Sequence, residues 1–197
     1  MRQMRDGMRQ MTEGMRPMRD GMRRERYPSV SPPARPPGLA PPSIPRSDNT
    51  QAGSYVSTET VGGTDGFAFR KVDSQGRPVI GVQFTLRSWA GRKYVGQLTP
   101  LFDRSGATRP NTIFAKEGYA LGAIHVWASE FVDGITLEFM KLNDDTSLQL
   151  SDSYEADTIG SATTGTAKII TSGGRIVVGL HGRHGAVIDA IGLVVKK

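Results

Sequence analysis

One carboxylate in this chain stands where its type and spacing could do chemistry. Asp189 completes the spacing Gly185-x-x-x-Asp189, directly after the segment His181-Gly-Arg-His184 and at the threshold of the apolar run Ile188-Asp-Ala-Ile-Gly-Leu-Val-Val195. A second apolar run, Ile176-Val-Val-Gly-Leu180, precedes that segment. Two such strands joined by a tight turn lift one acid and several backbone N–H groups onto a loop. An ionised carboxylate accepts hydrogen bonds roughly twice as strong as a neutral acceptor does, so this combination suits a ligand covered in hydroxyls. The plainer alternative is a turn acid whose side chain caps nearby backbone N–H groups.

His181, Arg183 and His184 crowd the same stretch. A metal site is not supported, because neither a third His nor a Cys accompanies them, and exposure at a turn is the simpler account. Hydrolysis of a glycoside needs two carboxylates on opposite sides of one cleft. Only Asp65 is a second candidate, and it is remote in sequence. The chain also lacks cysteine, a Gly-x-Ser-x-Gly elbow and a Gly-x-x-x-x-Gly-Lys phosphate loop. The reading is therefore non-enzymatic, with no cofactor and no metal.

Charge narrows the partners further. The chain of 197 residues carries a net charge of +6. Residues 1–50 hold ten Arg against five acids, which leaves a surplus of one cation for residues 51–197. A nearly neutral domain is a poor surface for tracking phosphates, so nucleic-acid binding by the domain is not expected. No run approaches 18 apolar residues, so no membrane span is expected either.

The elements that must position Asp189 are strands. Val79–Leu86, Tyr94–Phe102, Leu121–Trp127 and Ile135–Met140 alternate or run apolar between Gly and Asp/Asn clusters, while residues 51–60 offer an entering strand. Three segments repeat one unit, an apolar-Gly-apolar strand leading to a second strand. Ile80-Gly81-Val82 leads to Val95-Gly96-Gln97-Leu98, Leu121-Gly122-Ala123 to Val132-Asp133-Gly134-Ile135, and Val178-Gly179-Leu180 to Ile188-Asp189-Ala190-Ile191. The fold class is all-β, with three similar sheets sharing one core about a pseudo-threefold axis. Trp89 and Trp127 end strands and are read as rim or core residues. The acids from Asp144 to Asp157 are read as a polar loop without calcium-loop spacing.

Ahead of the domain, residues 1–26 repeat Met, Arg and Gly with period seven, and residues 27–54 form a Pro-rich linker; the compact domain takes residues 55–197. Met at spacings of three and four would line one face of a helix and join several copies. Gly7, Gly14, Gly21 and Pro17 oppose that helix, so oligomerisation through residues 1–26 is not favoured and a disordered tail is expected. The compartment is unknown; an export signal upstream of Met1 would make it extracellular or cell-envelope.

The closing stretch Val178–Gly192, the opening Val61-Gly-Gly-Thr-Asp-Gly-Phe67 and the threefold repeat together resemble the jacalin-like lectins over roughly residues 61–195. The resemblance implies a β-prism of three four-stranded antiparallel sheets and a carbohydrate partner, a monosaccharide or glycan terminus. Carried over by position, it implies that Asp189 accepts hydrogen bonds from two sugar hydroxyls and that the N–H groups of Ala186 and Val187 donate to the sugar. Gly185 leads that loop, and Gly62 and Gly63 close the site. The family divides broadly into galactose and mannose/glucose types. Galactose-type chains have an N-terminus cut just before the first Gly, so the uncut extension before Gly62 favours the mannose/glucose type. Three departures stand out: Asp65 replaces a Gly of the opening loop, Ala186 and Val187 replace an aromatic residue, and the first two repeats lack the full motif. The alternative is a structural or protein-interaction β-prism whose sugar site has lapsed.

Overall fold

Alternating apolar residues punctuated by Gly and Asn/Asp turns draw the domain into strands throughout. The computed structural model describes residues 54–89, 91–105, 109–162 and 165–197, and these form thirteen strands and no helix. The Met/Arg/Gly repeat, and the Pro-rich linker up to residue 53, lie outside the described residues.

The first sheet joins both ends of the domain. It contains β1 (Tyr55–Ser57), β2 (Val61–Gly62), β3 (Phe67–Val72), β12 (Val177–His184) and β13 (Ile188–Lys196), ordered β3-β12-β13 with β1 and β2 sharing the far edge of β13. The second holds β4 (Gly81–Trp89), β5 (Arg92–Leu101) and β6 (Thr112–Phe114) in the order β5-β4-β6. The third holds β7 (Tyr119–Ala128), β8 (Val132–Leu142), β9 (Leu148–Glu155), β10 (Ile159–Gly160) and β11 (Lys168–Thr171), with β11-β7-β8 in sequence and β9 and β10 sharing the far edge of β8. All pairings are antiparallel. Two sheets are thus four strands wide, with the outer position split in two; the middle sheet shows three among the described residues.

The three sheets enclose one core. Val82, Val95 and Leu98 come from the second sheet, Leu121, Ile124, Leu137 and Phe139 from the third, and Leu180, Ile191 and Leu193 from the first. Burying each such aliphatic side chain contributes about 1.5–3 kcal/mol. β13 is buried along both faces from Ile188 to Val195, since β1 and β2 cover its outer edge and Val194 joins a second cluster with Ala120, Ala123 and Val178. That double burial is why its sequence is apolar almost without alternation.

One expectation is corrected. The acidic stretch after Asp144 is not all loop, because β9 runs through it on the edge of β8. Leu148 is buried while Ser151, Ser153 and Glu155 face outward. Its acids are absorbed by neighbours: Tyr119 Oη donates to Asp152 at 2.7 Å, and Glu155 lies 3.7 Å from His125. An edge strand with one solvated face carries charge readily, which hides its period in sequence.

Candidate functional site

The β12–β13 hairpin builds the site. Its turn is closed by the N–H of Gly185, which donates to the carbonyl of Val187 at 2.9 Å. The register then slips by one: Arg183 faces Ala190 but His184 faces Ile188, so Asp189 is the extra residue of a bulge. A bulge kinks the strand and re-aims the inserted side chain. Equivalent slips occur in the other two hairpins. Trp127 faces Gly134 but Ala128 faces Val132, which makes Asp133 the extra residue; Thr85 faces Gln97 but Leu86 faces Val95, which leaves Gly96. The three repeats therefore align residue for residue at Asp189, Asp133 and Gly96.

The opening loop closes over Asp189 from the other side. Gly62 pairs with Ala190, and the Gly63 N–H donates to the Asp189 carbonyl at 2.8 Å. Neither glycine tolerates a Cβ: at Gly62 it would overlap the Asp189 carbonyl oxygen, and at Gly63 the Glu130 carbonyl oxygen. Their smallness serves this backbone packing. Gly66, at φ +73°, is the glycine that abuts the carboxylate, and a Cβ there would overlap Asp189 Oδ2. Arg183 braces the turn, donating from Nε to the Asp65 carbonyl at 2.8 Å and from Nη2 to the Gly66 carbonyl at 2.7 Å.

Asp189 is 3% exposed, and its Oδ2 is buried without a hydrogen-bond partner. Buried polar atoms are rarely left so, because an unmade hydrogen bond costs about 1–3 kcal/mol. The cap reading requires backbone N–H groups on this carboxylate, and none among the described residues donates to it. Nearby, the N–H groups of Ala186 and Val187 donate to no acceptor among the described residues. An acid and two free donors thus sit on one turn, and a Cβ at Gly185 would stand 3.7 Å from Oδ2, an ordinary contact. Two glycines, Gly66 and Gly185, flank the carboxylate.

The fold brings Gly62, Gly63, Gly185, Ala186, Val187 and Asp189 together. Gly66 and Arg183 were missed; the third glycine of Gly62-Gly-Thr-Asp-Gly66 was the available signal for the former. The histidines are not in an exposed turn but within β12. His181 Nε2 donates to the Thr58 carbonyl at 3.1 Å, and burial pushes its pKa down, against the effect of that hydrogen bond. His184 meets Phe69 edge-on at 5.7 Å. Both are packing residues. In the second repeat Ser129 reproduces the turn, its N–H donating to the Phe131 carbonyl at 3.0 Å, and the Asp133 carbonyl accepts from Ser161 N–H at 2.8 Å as Asp189 does from Gly63. There Arg92 lies 3.9 Å from the buried Asp133 carboxylate.

The family model of the jacalin-like lectin domain matches residues 58–194, well over half of the chain. The chain belongs to the jacalin-like lectin family. This is a family of carbohydrate-binding, non-catalytic domains. The jacalin-like domain is similar in structure to a mannose-specific jacalin-related lectin from Morus nigra solved with mannose, at a TM-score of 0.52 and 14% identity over 75% of this chain and 98% of that one. A mannose-binding lectin from Champedak gives 0.52 and 15% identity over 74% and 99%. At such identity the likeness establishes the β-prism fold. Comparison with curated proteins finds no match.

Proposed function

We propose that this jacalin-like domain binds a terminal hexose without chemical change, through Asp189 and the N–H groups of Ala186 and Val187. The observation that carries the reading is the buried, partnerless Oδ2 of Asp189 beside two glycines. Hydroxyl groups of a sugar would supply the donors that the fold withholds, and the two free N–H groups would take a ring or hydroxyl oxygen. Gly62 and Gly63 hold the loop against β13, Gly66 and Gly185 keep side chains away from the carboxylate, and Arg183 ties the opening loop to β12. The role is that of a binding module, since one carboxylate at the site supplies no acid–base pair.

The preference proposed is for the mannose/glucose type. The chain runs on from β1 through Thr58, whose N–H donates to the Leu193 carbonyl at 2.9 Å, into β2 and Gly62. Among the described residues the backbone is continuous from Ser54 through Gly62, which supports the mannose/glucose reading. With few apolar contacts from Ala186 and Val187, affinity for one hexose should be about millimolar, or about −4 kcal/mol. Calorimetric titration of the full chain with methyl mannoside, methyl glucoside and methyl galactoside tests this. Saturable binding of the first two supports it; a folded protein that binds no hexose at tens of millimolar (roughly −2 to −3 kcal/mol) would refute it.

A further inference from the structure

The β4–β5 hairpin emerges from the packed body of the domain as a finger. β6 covers β4 only from Gly81 to Gln83, and from Thr85 to Trp89 every residue of β4 is exposed, on both faces of the strand. Buried Tyr94 on β5 anchors the base, with its ring 6.4 Å from that of Trp89 and edge-on to Phe131 at 6.2 Å. Gly91 turns the tip at φ +76°, and a Cβ there would meet nothing within 4 Å. Trp89 stands beside that turn, paired with Arg92, and is 69% exposed. A single exposed apolar residue is ordinary on a protein surface. An indole on an open projection, flanked by charge of one sign, is not. Between Asp73 and Asp103 the chain has no acid and four cations, Arg77, Arg87, Arg92 and Lys93. Arg77 is tied to Asp73 and Asp103, and Arg92 lies beside Asp133. Arg87 and Lys93 are exposed and form no ion pair among the described residues. No acid lines the groove that Trp89 shares with Ala186 and Val187.

We propose that the β4–β5 finger docks on a membrane surface carrying anionic phospholipid, seating Trp89 at headgroup level while Arg87 and Lys93 meet lipid phosphates. This role stands apart from hexose binding and does not require it. An indole suits the bilayer interface, because its ring is apolar while its N–H still finds an acceptor there. Each cation close to an anionic leaflet strengthens attachment roughly fivefold. A protein partner would ask for more, since a specific interface takes about 800 Å² from each side, and the finger offers one indole beside the partly exposed Leu86. The edge of β4 beyond Gln83 is short and carries Arg87, which guards it against pairing with another strand. One indole and two cations make a weak, reversible attachment. Because Trp89 shares its groove with Ala186 and Val187, docking of the finger brings the Asp189 turn close to the same surface.

Tryptophan fluorescence of the full chain on vesicles free of sugar headgroups tests this, with phosphatidylcholine alone or mixed with phosphatidylserine. Trp127, the other tryptophan, is half-buried in β7 and sets the background measured in Trp89→Ala. On mixed vesicles the native emission should shift to the blue and be quenched by lipids brominated on their acyl chains, and Trp89→Ala should lose both effects. Arg87→Gln combined with Lys93→Gln should raise the lipid concentration for half-quenching roughly tenfold or more, and phosphatidylcholine alone should give no quenching over the same range. The ten Arg of residues 1–50 are enough to hold the chain on anionic vesicles, so attachment that leaves Trp89 unquenched overturns the proposal. Quenching of equal strength in the double variant, or on phosphatidylcholine alone, overturns it too. Self-association of the native chain that is lost in Trp89→Ala, without quenching on vesicles, assigns the finger to a second copy and overturns it as well.

Discussion

Replacing Asp189 by Asn keeps the shape of the side chain and removes its charge, and the structure sets the sign of two separate effects. In the free protein the carboxylate is 3% exposed, with one oxygen buried and unpartnered. A buried charge without a partner destabilises the fold, so the neutral amide should stabilise it by about 1–2 kcal/mol, discounted for the amide's own unmet hydrogen bonds. For a domain of this size that is about 3–8 °C in melting temperature. Sugar binding should move the other way. Losing charge-assisted hydrogen bonds to two hydroxyls costs about 1.5–3 kcal/mol, which takes a millimolar affinity beyond measurement. Thermal melts with and without methyl mannoside read both effects: the variant should melt higher than the native protein alone, yet gain nothing from sugar. A variant that melts lower by several degrees and still binds sugar would refute the reasoning, because Asp189 would then be a structural cap.

Three further outcomes follow from neighbouring geometry. Gly66→Ala should abolish sugar binding and cost about 1–3 kcal/mol in denaturant melts, since φ is +73° and the added Cβ overlaps Asp189 Oδ2; full stability with intact binding would contradict the loop geometry. Asp73 accepts from the N–H groups of Gln75 and Arg77 at 3.0 and 2.9 Å and from Arg77 Nη2 at 2.8 Å, and the Arg77 side chain, then burial opposing it, leaves its pKa below the usual carboxylate value. Its stabilisation is therefore complete above about pH 4 and is lost as pH falls through the folded value; acid titration of Asp73→Ala, destabilised by about 2 kcal/mol at neutral pH, should show a flatter acid limb. His181 has a pKa lowered by burial, so the unfolded chain takes up its proton first, and stability falls as pH drops below about 6.5. His181→Gln should flatten that slope between about pH 7 and 5, and an unchanged slope would assign it to other groups.

How much was legible depended on whether a residue's role was set by its own strand or by a distant one. The apolar runs of β4, β5, β7, β8, β12 and β13 could be read because each carries its own alternation or unbroken core-facing sequence. The threefold repeat was visible for the same reason, and the bulge registers put Asp189, Asp133 and Gly96 in equivalent places. β9 was hidden because an edge strand with a solvated face looks like a polar loop. Gly66 was passed over because the contact that defines it, with Asp189 Oδ2, spans 123 positions in sequence. Trp89, read as a rim or core residue, is an exposed rim residue at the end of β4.

The internal symmetry also explains why equivalent backbone positions do not make equivalent sites. Each hairpin carries a bulge at the same place, so the fold offers three chances to aim a side chain at a loop. In the second sheet the bulge residue is Gly96, which has nothing to aim; Thr85 and Arg87 fill the space where its Cβ would be. In the third sheet Asp133 is as buried as Asp189, and its carbonyl is held by Ser161 just as Gly63 holds Asp189, but Arg92 stands 3.9 Å from its carboxylate. A cation at that distance already answers the charge, and a ligand would have to compete with it. Only at Asp189 is the acid buried without an ion pair among the described residues. The bulge is a property of the repeat, whereas the demand for an external donor is a property of what faces it, and that is decided by a few residues on neighbouring loops. By that argument the setting of Asp189 owes as much to Gly66, packed on its Oδ2, and to Arg183, which holds the Asp65 and Gly66 carbonyls, as to the acid itself.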